Sequence, residues 1–263
     1  MTVGAARTVR AAARAGTWPG TTRGAAPGQV QCNVVILPAA EARDFAAWCE
    51  RNPSVAPVLA RSSTPGDPAL PSLGDDLDLR FDLPAYRVFE HGEAVAEVSD
   101  LAGLWTADLV GFAFGCSFSL EEALRRAGVP LAYEERGFGG AIYASTLETA
   151  AAAGFRGPVI VSMRPLPAAA VEDACRVSEL HPQLHGLPVH VGDPAAIGID
   201  LDDPLESLGE VSVAAGEVPV FWACGVTTQL AIERARPPRA FTHVSSRMLV
   251  TDLALDDLAV AGA

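Results

Sequence analysis

The chain has 263 residues, 49% of them hydrophobic, and carries a formal net charge of −13 at pH 7. This balance offers no basic surface to a polyanion, and no apolar run is long enough to cross a bilayer, so we expect neither a nucleic-acid nor a membrane partner. All nineteen basic residues are arginine. The absence of lysine excludes Schiff-base chemistry, pyridoxal phosphate attachment and a P-loop.

The cysteines are few and widely spaced. An odd number of cysteines without a CxxC pair predicts neither a disulfide framework nor a zinc site. Free thiols are typical of a reducing compartment, so the sequence predicts a cytoplasmic protein. The lysine-free, alanine-rich composition is typical of GC-rich bacterial coding. The five cysteines are Cys32, Cys49, Cys116, Cys175 and Cys224.

Residues 1–28 form an N-terminal arm that is rich in alanine, glycine and arginine and has no acidic residue. Its composition resembles that of a transit peptide, but it lacks the apolar core of a secretory signal. The spacing predicts a short helix at 9–15 with Arg10 and Arg14 on one face. Two arginines so placed more often mark a solvated surface than a substrate clamp.

The next predicted elements are a buried strand at 31–38, QCNVVILP, and an amphipathic helix at 40–51. A connection rich in proline, glycine and aspartate follows at 53–83, and we expect it to wrap the surface. Two strands, at 86–90 and 94–98, then flank His91 and Gly92. This pattern predicts a hairpin in which His91 is a turn residue.

The stretch from 109 to 126, LVGFAFGCSFSLEEALRR, predicts a buried strand that runs directly into a helix. Ser119 and Glu122 have the spacing of a capping box, which would start the helix and leave the preceding N–H groups free to bind an anion. The turn between strand and helix consists of Gly115, Cys116 and Ser117.

The stretch from 218 to 234, VPVFWACGVTTQLAIER, repeats this arrangement, with a helix predicted at 229–234 after a threonine cap. Strand ends followed by a helix start commonly line one crevice of an open α/β sheet. We therefore expect the turns at Cys116 and Cys224 to face a common active site. The alternative is that tight turns need small residues and that each cysteine is a buried apolar side chain.

The pattern changes to short strands with a single helix after residue 130. Such a run predicts a two-layer α+β subdomain, at 131–194, inserted into a larger unit. The predicted fold class is therefore α/β, with a three-layer main domain formed by 29–130 and 195–263. We expect Gly137–Gly140 to be a mobile loop near the boundary. Strands are predicted at 131–135, 141–145, 158–163 and 188–191, the helix at 168–180, and two closing strands at 241–244 and 248–252.

Ser162 and Arg164 lie at the end of a predicted strand. There the guanidinium could hold a carboxylate through two parallel hydrogen bonds. The alternative for Arg164 is a surface ion pair with one of the many acidic residues. The two interpretations differ in whether the guanidinium is buried in a pocket or solvated.

Three histidines, His181, His185 and His190, lie within ten residues, but prolines and glycines between them break any helix that would align them. We therefore predict no metal site. His190 is a candidate general base, because an imidazole titrates near neutral pH, and Asp193 is close enough to interact with it. A single histidine on a terminal strand, such as His243, is more often a core residue.

Several motifs of common enzyme classes are missing from the sequence. No GxGxxG follows a predicted strand, and no Walker sequence, GxSxG elbow or HExxH is present. These absences disfavour an NAD enzyme, an NTPase and a standard α/β-hydrolase, and the missing HExxH agrees with the absence of a predicted metal site.

A set of ordered segments carries a resemblance that spans about residues 10 to 252: QCNVVILP, DFAAWCERNP, TPGDP, DLPAYRVFEHGE, VGFAFGCSFSLEEAL, GPVIVSMRP, HGLPVHVGDPAAIGI, GEVPVFWACGVT and the closing TH and VTD. Together they resemble the hydro-lyase family that includes D-glutamate cyclases. The resemblance implies an α/β enzyme that removes water from a small carboxylate. For a D-glutamate cyclase, this is the closure of glutamate to 5-oxoproline.

The sequence departs from that family's pattern in three places. Members usually carry Asn-Val-Pro-Met-Tyr followed by a cysteine, where this chain has GAIY at 140–143. They carry Pro-Gly-His before a methionine, where this chain has SSR at 245–247. Thr228 replaces a proline. If these segments line one pocket wall, the differences would change the substrate or remove activity.

We therefore expect a metal-independent hydro-lyase or cyclase that acts on a small carboxylate without a cofactor. The alternatives are a diverged biosynthetic enzyme with a different carboxylate substrate and a non-catalytic carboxylate-binding protein; a homodimer is left open. Arg164 would anchor the carboxylate, and amides of the two turns would stabilise charge on an oxygen. The predicted catalytic residues are Cys116, His190, Asp193 and Cys224. The predicted substrate-binding residues are Gly115, Ser117, Ser162, Arg164, His185, Gly225, Thr227 and His243.

Overall fold

The computed structural model describes residues 3–258, which form two sheets with antiparallel pairing throughout and five α-helices. The first sheet contains β1 (Gln29–Pro38), β2 (Val58–Arg61), β3 (Tyr86–Glu90), β4 (Glu93–Val98), β5 (Leu109–Gly115), β11 (Arg239–His243) and β12 (Leu249–Ala254). The second contains β6 (Ala141–Glu148), β7 (Pro158–Pro167), β8 (His190–Val191), β9 (Glu206–Ser207) and β10 (Glu217–Ala223). The helices are α1 (Val3–Arg14), α2 (Ala39–Arg51), α3 (Ser117–Arg126), α4 (Val171–Glu179) and α5 (Thr227–Ala235).

The strands of the second sheet all lie between β5 and β11 in the sequence. The predicted α/β fold, with a smaller unit inserted into a larger one, is therefore confirmed. The second sheet continues past residue 194, the predicted end of the insertion, because β9 and β10 complete it. How the chain divides into folding units remains a prediction.

β1 is the strand around which the first sheet is organised. On one side β5 pairs with Cys32 to Pro38, whereas on the other side β12 pairs with the first half of β1 and β11 with the second half. Asn33 lies where the partner changes, between Cys32, opposite Leu249, and Val35, opposite Thr242. The turn that joins β11 to β12 crosses at this point.

The structure corrects the predicted start of α3. Cys116, not Ser119, is the N-cap residue, and its sulfur accepts a hydrogen bond from the N–H of Phe118. Ser119 lies inside the first turn, where its hydroxyl oxygen accepts the N–H of Gln31 at 2.8 Å. The capping-box prediction is wrong because a contact with β1 takes the serine hydroxyl. The helix therefore begins three residues earlier than predicted, directly after the thiol.

The N-terminal arm is held to the first sheet by buried charges. Arg10 is fully buried in α1 and bonds to Asp76 and Asp252 at 2.6 and 3.0 Å, and Arg14 bonds to Asp82. The expectation that these arginines form a solvated face is therefore wrong for Arg10. A partly buried network of opposite charges docks the helix against β12. The spacing of residues within the helix cannot predict this network, because its acidic residues are distant in the sequence.

Two other predictions fail locally. Residues 131–135 do not form a strand, and a short 3₁₀ turn, Glu134–Arg136, lies there instead. The connection at 53–83 contributes the edge strand β2, which pairs with β5. The hairpin of β3 and β4 is confirmed, with His91 and Gly92 at positive φ in its turn.

Candidate active site

A small cavity of about 80 Å³ lies where the ends of β5 and β10 meet the middle of β1. The two thiol-bearing turns, distant in the sequence, both line it. The structure thus brings together half of the residues predicted for the site, although their roles remain predictions. These residues are Cys116, Ser117, Ser162, Arg164, Cys224 and His243.

The two predicted glycines act through packing. A Cβ on Gly115 would come within 1.7 Å of the carbonyl oxygen of Gln183, and one on Gly225 within 2.1 Å of the carboxamide carbon of Asn33. Gly115 also uses its N–H within the fold, donating it to Pro57 at 3.1 Å. Only a residue without a side chain allows these approaches, so both glycines shape the cavity from behind its wall.

Thr227 supports the turn at Cys224. Its hydroxyl donates to the Cys224 carbonyl at 2.7 Å and accepts the N–H of Ile160 at 3.0 Å. The threonines predicted as a helix cap therefore lie inside the first turn of α5, and Val226 precedes the helix without a side-chain cap. Thr227 ties the turn to β7 and does not line the cavity.

The structure does not bring His190 and Asp193 to the cavity. His190 lies on β8, on the far side of β10 from β7, and its Nε2 contacts the backbone carbonyl of Asp193 at 2.7 Å. The Asp193 side chain caps the following turn by accepting the N–H of Ala195. The predicted pair is therefore a local structural contact that lies outside the cavity.

Thirteen lining residues were not among the predicted site residues. Asn33 is one that a sequence signal could have revealed, because it is a polar residue inside the apolar run of β1. Its amide nitrogen donates to the Gly115 carbonyl at 2.6 Å. Others come from the segments at 140–143 and 245–247 that depart from the family pattern. The thirteen are Asn33, Phe118, Gly139, Gly140, Ala141, Ile142, Glu206, Ser207, Leu208, Val226, Ser245, Ser246 and Met248.

Arg164 is held rigidly in the wall of the cavity. Its Nε donates to Glu121 at 2.5 Å, and its two terminal nitrogens donate to the hydroxyls of Ser162 and Ser117 at 2.9 and 3.1 Å. Only 3% of the residue is exposed, so the surface-pair alternative is wrong. Burial alone would lower the pKa of the guanidinium, but the Glu121 carboxylate outweighs it and raises the pKa. Each terminal nitrogen keeps one further N–H.

His243 is a neutral imidazole whose Nδ1 contacts the backbone of Val34. Burial lowers its pKa to about 4. The N–H of Val34, at the point where β1 changes partner, lies 3.1 Å from Nδ1, and the Val34 carbonyl lies 3.3 Å from the same nitrogen. Nδ1 accepts from the amide when the ring proton is on Nε2 and donates to the carbonyl when the proton is on Nδ1. In the first tautomer His243 can donate a hydrogen bond from Nε2 to a ligand in the cavity that it lines.

Both cavity thiols are protonated at neutral pH. Burial raises the pKa of Cys116 to about 12. Burial also raises the pKa of Cys224, and the nearby Glu206 carboxylate adds to that effect. The helix starts beside them do not activate these thiols, because desolvation outweighs the N–H contact at the sulfur. In this state they are proton donors.

Glu206, on β9, supplies the carboxylate that lines the cavity. Within residues 3–258 it forms no ion pair, whereas Glu121, behind the wall, bonds to Arg164 and Arg23. The cavity therefore presents a guanidinium on one wall and an uncompensated carboxylate on another.

No three His, Cys, Asp or Glu side chains converge as a metal-binding group in the described part of the chain. The predicted independence from metals and cofactors remains a prediction. Among the helices of residues 3–258, none combines the length and the apolar content needed to cross a membrane.

We expect the free energy of unfolding to fall as the pH is lowered from 6.5 towards about 4, because burial lowers the pKa of both His185 and His243 to about 4. In this window the unfolded chain binds protons at both side chains and the folded protein does not. The stabilisation is complete above pH 6.5 and is lost by up to about 1.4 kcal/mol per pH unit for each histidine.

Urea unfolding between about pH 4.5 and 7 measures this slope. His185→Asn and His243→Asn should each make it shallower, whereas His91→Asn, in the exposed hairpin turn, should not. An unchanged slope in both buried-histidine variants would contradict the assignment.

Comparison with known proteins places the chain in a family. Residues 110–252 match the family model described as D-glutamate cyclase. A protein named "Putative hydro-lyase" from Afipia carboxidovorans is 47% identical over 96% of this chain and 93% of its own length. Proteins of the same name from Bordetella petrii and Bordetella pertussis are 49% and 50% identical, over 98% and 95% of this chain and 97% and 90% of their own lengths.

Among solved structures, a nitrogen repressor-like protein from Methanococcus jannaschii aligns with 97% of this chain and 97% of its own length. The two chains are 13% identical and superpose with a TM-score of 0.42. The matched sequences, by contrast, extend over nearly the whole chain at close to half identity. The chain therefore belongs to the hydro-lyase family that includes the D-glutamate cyclases.

Proposed function

We propose that this protein is a hydro-lyase that removes water from a small amino acid, as in the closure of glutamate to 5-oxoproline. The observation that carries the proposal is the single cavity that combines the Arg164 guanidinium, the His243 imidazole, two protonated thiols and the Glu206 carboxylate. Family membership supports the reaction class, since the relatives are named as hydro-lyases.

The charges of the cavity fit the two ends of an amino acid. The remaining N–H groups of Arg164 would bind a substrate carboxylate, because a guanidinium is matched to two carboxylate oxygens. Glu206 would face the substrate ammonium. The reacting carboxyl group would then lie near Cys116, Cys224 and the Nε2–H of His243.

Ring closure forms a C–N bond between the amine and the side-chain carboxyl carbon and breaks one C–O bond of that carboxyl group. The ammonium loses two protons and the departing oxygen gains two, so the reaction releases one water without an oxidant or reductant. In the proposed mechanism Glu206 takes one proton from the ammonium, and a cavity thiol gives one proton to the departing oxygen. The second proton of the nitrogen returns to that sulfur and Glu206 passes its proton to the departing oxygen, so that one water leaves and each group regains its starting state. The His243 imidazole, protonated on Nε2, stabilises the departing oxygen through a hydrogen bond.

The direct test is incubation of the purified protein with D-glutamate and L-glutamate, with mass detection of the product that has lost one water. We expect turnover of at least one enantiomer. Glu206→Gln should raise KM by about tenfold, because the ammonium loses a charged hydrogen-bond partner, and should also lower kcat, because glutamine cannot accept the ammonium proton. Glu210→Gln is the matched control, since Glu210 is exposed nearby and does not line the cavity.

A different carboxylate substrate is the second candidate, favoured by one observation. Gly140, Ala141, Ile142, Ser245 and Ser246, from the segments that depart from the family pattern, line this cavity. Water loss from another amino acid, with none from glutamate, would support this candidate. Thermal stabilisation by these acids without any product would support a carboxylate-binding protein and contradict the enzyme.

A further inference from the structure

We infer that the N-terminal arm belongs to the framework of the active site, with Thr22 and Arg23 as positioning residues for two separate walls of the cavity. Neither residue lines the cavity itself. Each is one or two hydrogen bonds away from residues that do. The kinetic part of this inference rests on the proposed function, whereas its geometric part does not.

Thr22 fixes the turn between β11 and β12. Its N–H donates to the Ser246 carbonyl at 2.9 Å, and its hydroxyl oxygen accepts the N–H of Met248 at 2.9 Å. The hydroxyl of Thr21 donates to the same Ser246 carbonyl at 3.1 Å. Ser246 and Met248 both line the cavity, so the arm holds this wall from outside.

The turn needs such support because of its backbone conformation. Ser246 has a φ of 60°, in the left-handed region that residues other than glycine rarely adopt. A strained residue persists only where surrounding contacts determine its conformation. Thr22 is fully buried and bonds to the backbone of the turn at Ser246 and at Met248. Loss of its hydroxyl would free the N–H of Met248 and loosen the wall.

Arg23 acts on the opposite wall through one intermediary. Its Nε donates to Oε2 of Glu121 at 2.7 Å, while Oε1 of the same carboxylate accepts the Nε of Arg164 at 2.5 Å. Glu121 is buried between the two guanidiniums. Arg23 also bonds to Glu134 at 2.5 Å, which fixes its own position. The arm therefore determines how the Glu121 carboxylate is oriented, and through it the plane of the Arg164 guanidinium.

The two contacts have different expected kinetic effects. Arg23→Gln should raise KM for the carboxylate by about tenfold with little change in kcat, because Arg164 keeps its charge but loses its orientation. Thr22→Ala should lower kcat/KM by about tenfold, and Thr22→Ser, which keeps the hydroxyl, should restore it. Arg14→Gln is the matched control, because Arg14 holds the arm to Asp82 without contacting a cavity residue.

A second readout needs no substrate. The rates at which iodoacetamide alkylates Cys116 and Cys224, followed by peptide mass spectrometry on the full-length protein, report how accessible the cavity is. We expect Thr22→Ala and Arg23→Gln to raise these rates at least threefold over wild type and Arg14→Gln, since a loosened wall exposes buried thiols. The melting temperature of each variant identifies any that fail to fold, and Arg23, which is partly exposed, is the safer substitution.

The outcomes separate the two proposals. If wild type turns over no amino acid but the alkylation rates change as expected, the proposed function fails and the positioning role of the arm stands. If Arg23→Gln and Thr22→Ala leave alkylation rates and kinetic constants equal to those of Arg14→Gln, the arm only stabilises the fold and the inference is overturned.

Discussion

Replacing Cys116 or Cys224 with alanine is expected to lower turnover of the amino acid substrate by about 10²- to 10⁴-fold, the contribution typical of a positioned proton donor. Both thiols line the cavity, and burial raises the pKa of Cys116 to about 12. At neutral pH each sulfur can therefore give a proton but cannot act as a ready base or nucleophile. The kinetic constants of the two variants measure this contribution.

Serine variants distinguish the proposed role from nucleophilic catalysis. A hydroxyl is also a proton donor, so Cys116→Ser should retain more activity than Cys116→Ala, whereas an attacking thiolate would tolerate neither. Cys175→Ala, on α4 and outside the cavity, is the matched control and should behave as wild type. Alanine variants with unchanged kcat/KM would show that the thiols only fill space.

Glu121→Gln is expected to lower the free energy of unfolding by about 3–5 kcal/mol, because it leaves the buried Arg164 guanidinium without its compensating charge. Glu121 and Arg164 are each 3% exposed in their side chains and lie 2.5 Å apart. Chemical denaturation at neutral pH gives this difference directly.

The neighbouring residue provides a control on the same helix. Glu122 pairs with Arg125 and Arg126 on the exposed face, so Glu122→Gln should cost no more than about 1 kcal/mol. The double variant Glu121→Leu/Arg164→Met should recover most of the lost stability, because it removes both charges together. Equal losses for Glu121→Gln and Glu122→Gln would show that the buried pair is not the source of the effect.

The sequence predicted the parts of the fold that local patterns determine. Apolar runs and helical spacing identified β1, β5, β7 and β10, and the His91-Gly92 turn identified a hairpin. Strand order could not be read in the same way. The expected crevice assumed an open α/β sheet, whereas the pairings are antiparallel and the two thiol turns meet because both follow strands that end beside the middle of β1.

The sequence predicted cavity-lining residues that lie in turns and missed lining residues that depend on distant contacts. Cys116 and Cys224 follow strand ends that the sequence marks clearly, whereas Arg164 lies inside β7, which continues past its predicted end at residue 163. His190 and Asp193 are close in sequence, but His190 lies on β8, an edge strand of the second sheet, and neither residue lines the cavity. Asn33, Glu206 and Ser246 reach the cavity only through tertiary pairing. The raised pKa of Cys116 could not be predicted, because a local motif does not show that the thiol is buried.

The change of partner along β1 constrains the length of the turn between β11 and β12 but not the identity of its side chains. The crossing between β11 and β12 has to fall opposite Asn33, since an inserted residue would shift the register of β12 against Gln31 and Cys32. Its length is thus constrained by the sheet, while the side chains at 245 and 246 face the cavity and contribute nothing to that register. A lineage can therefore exchange those two residues and acquire a new substrate without rebuilding the scaffold.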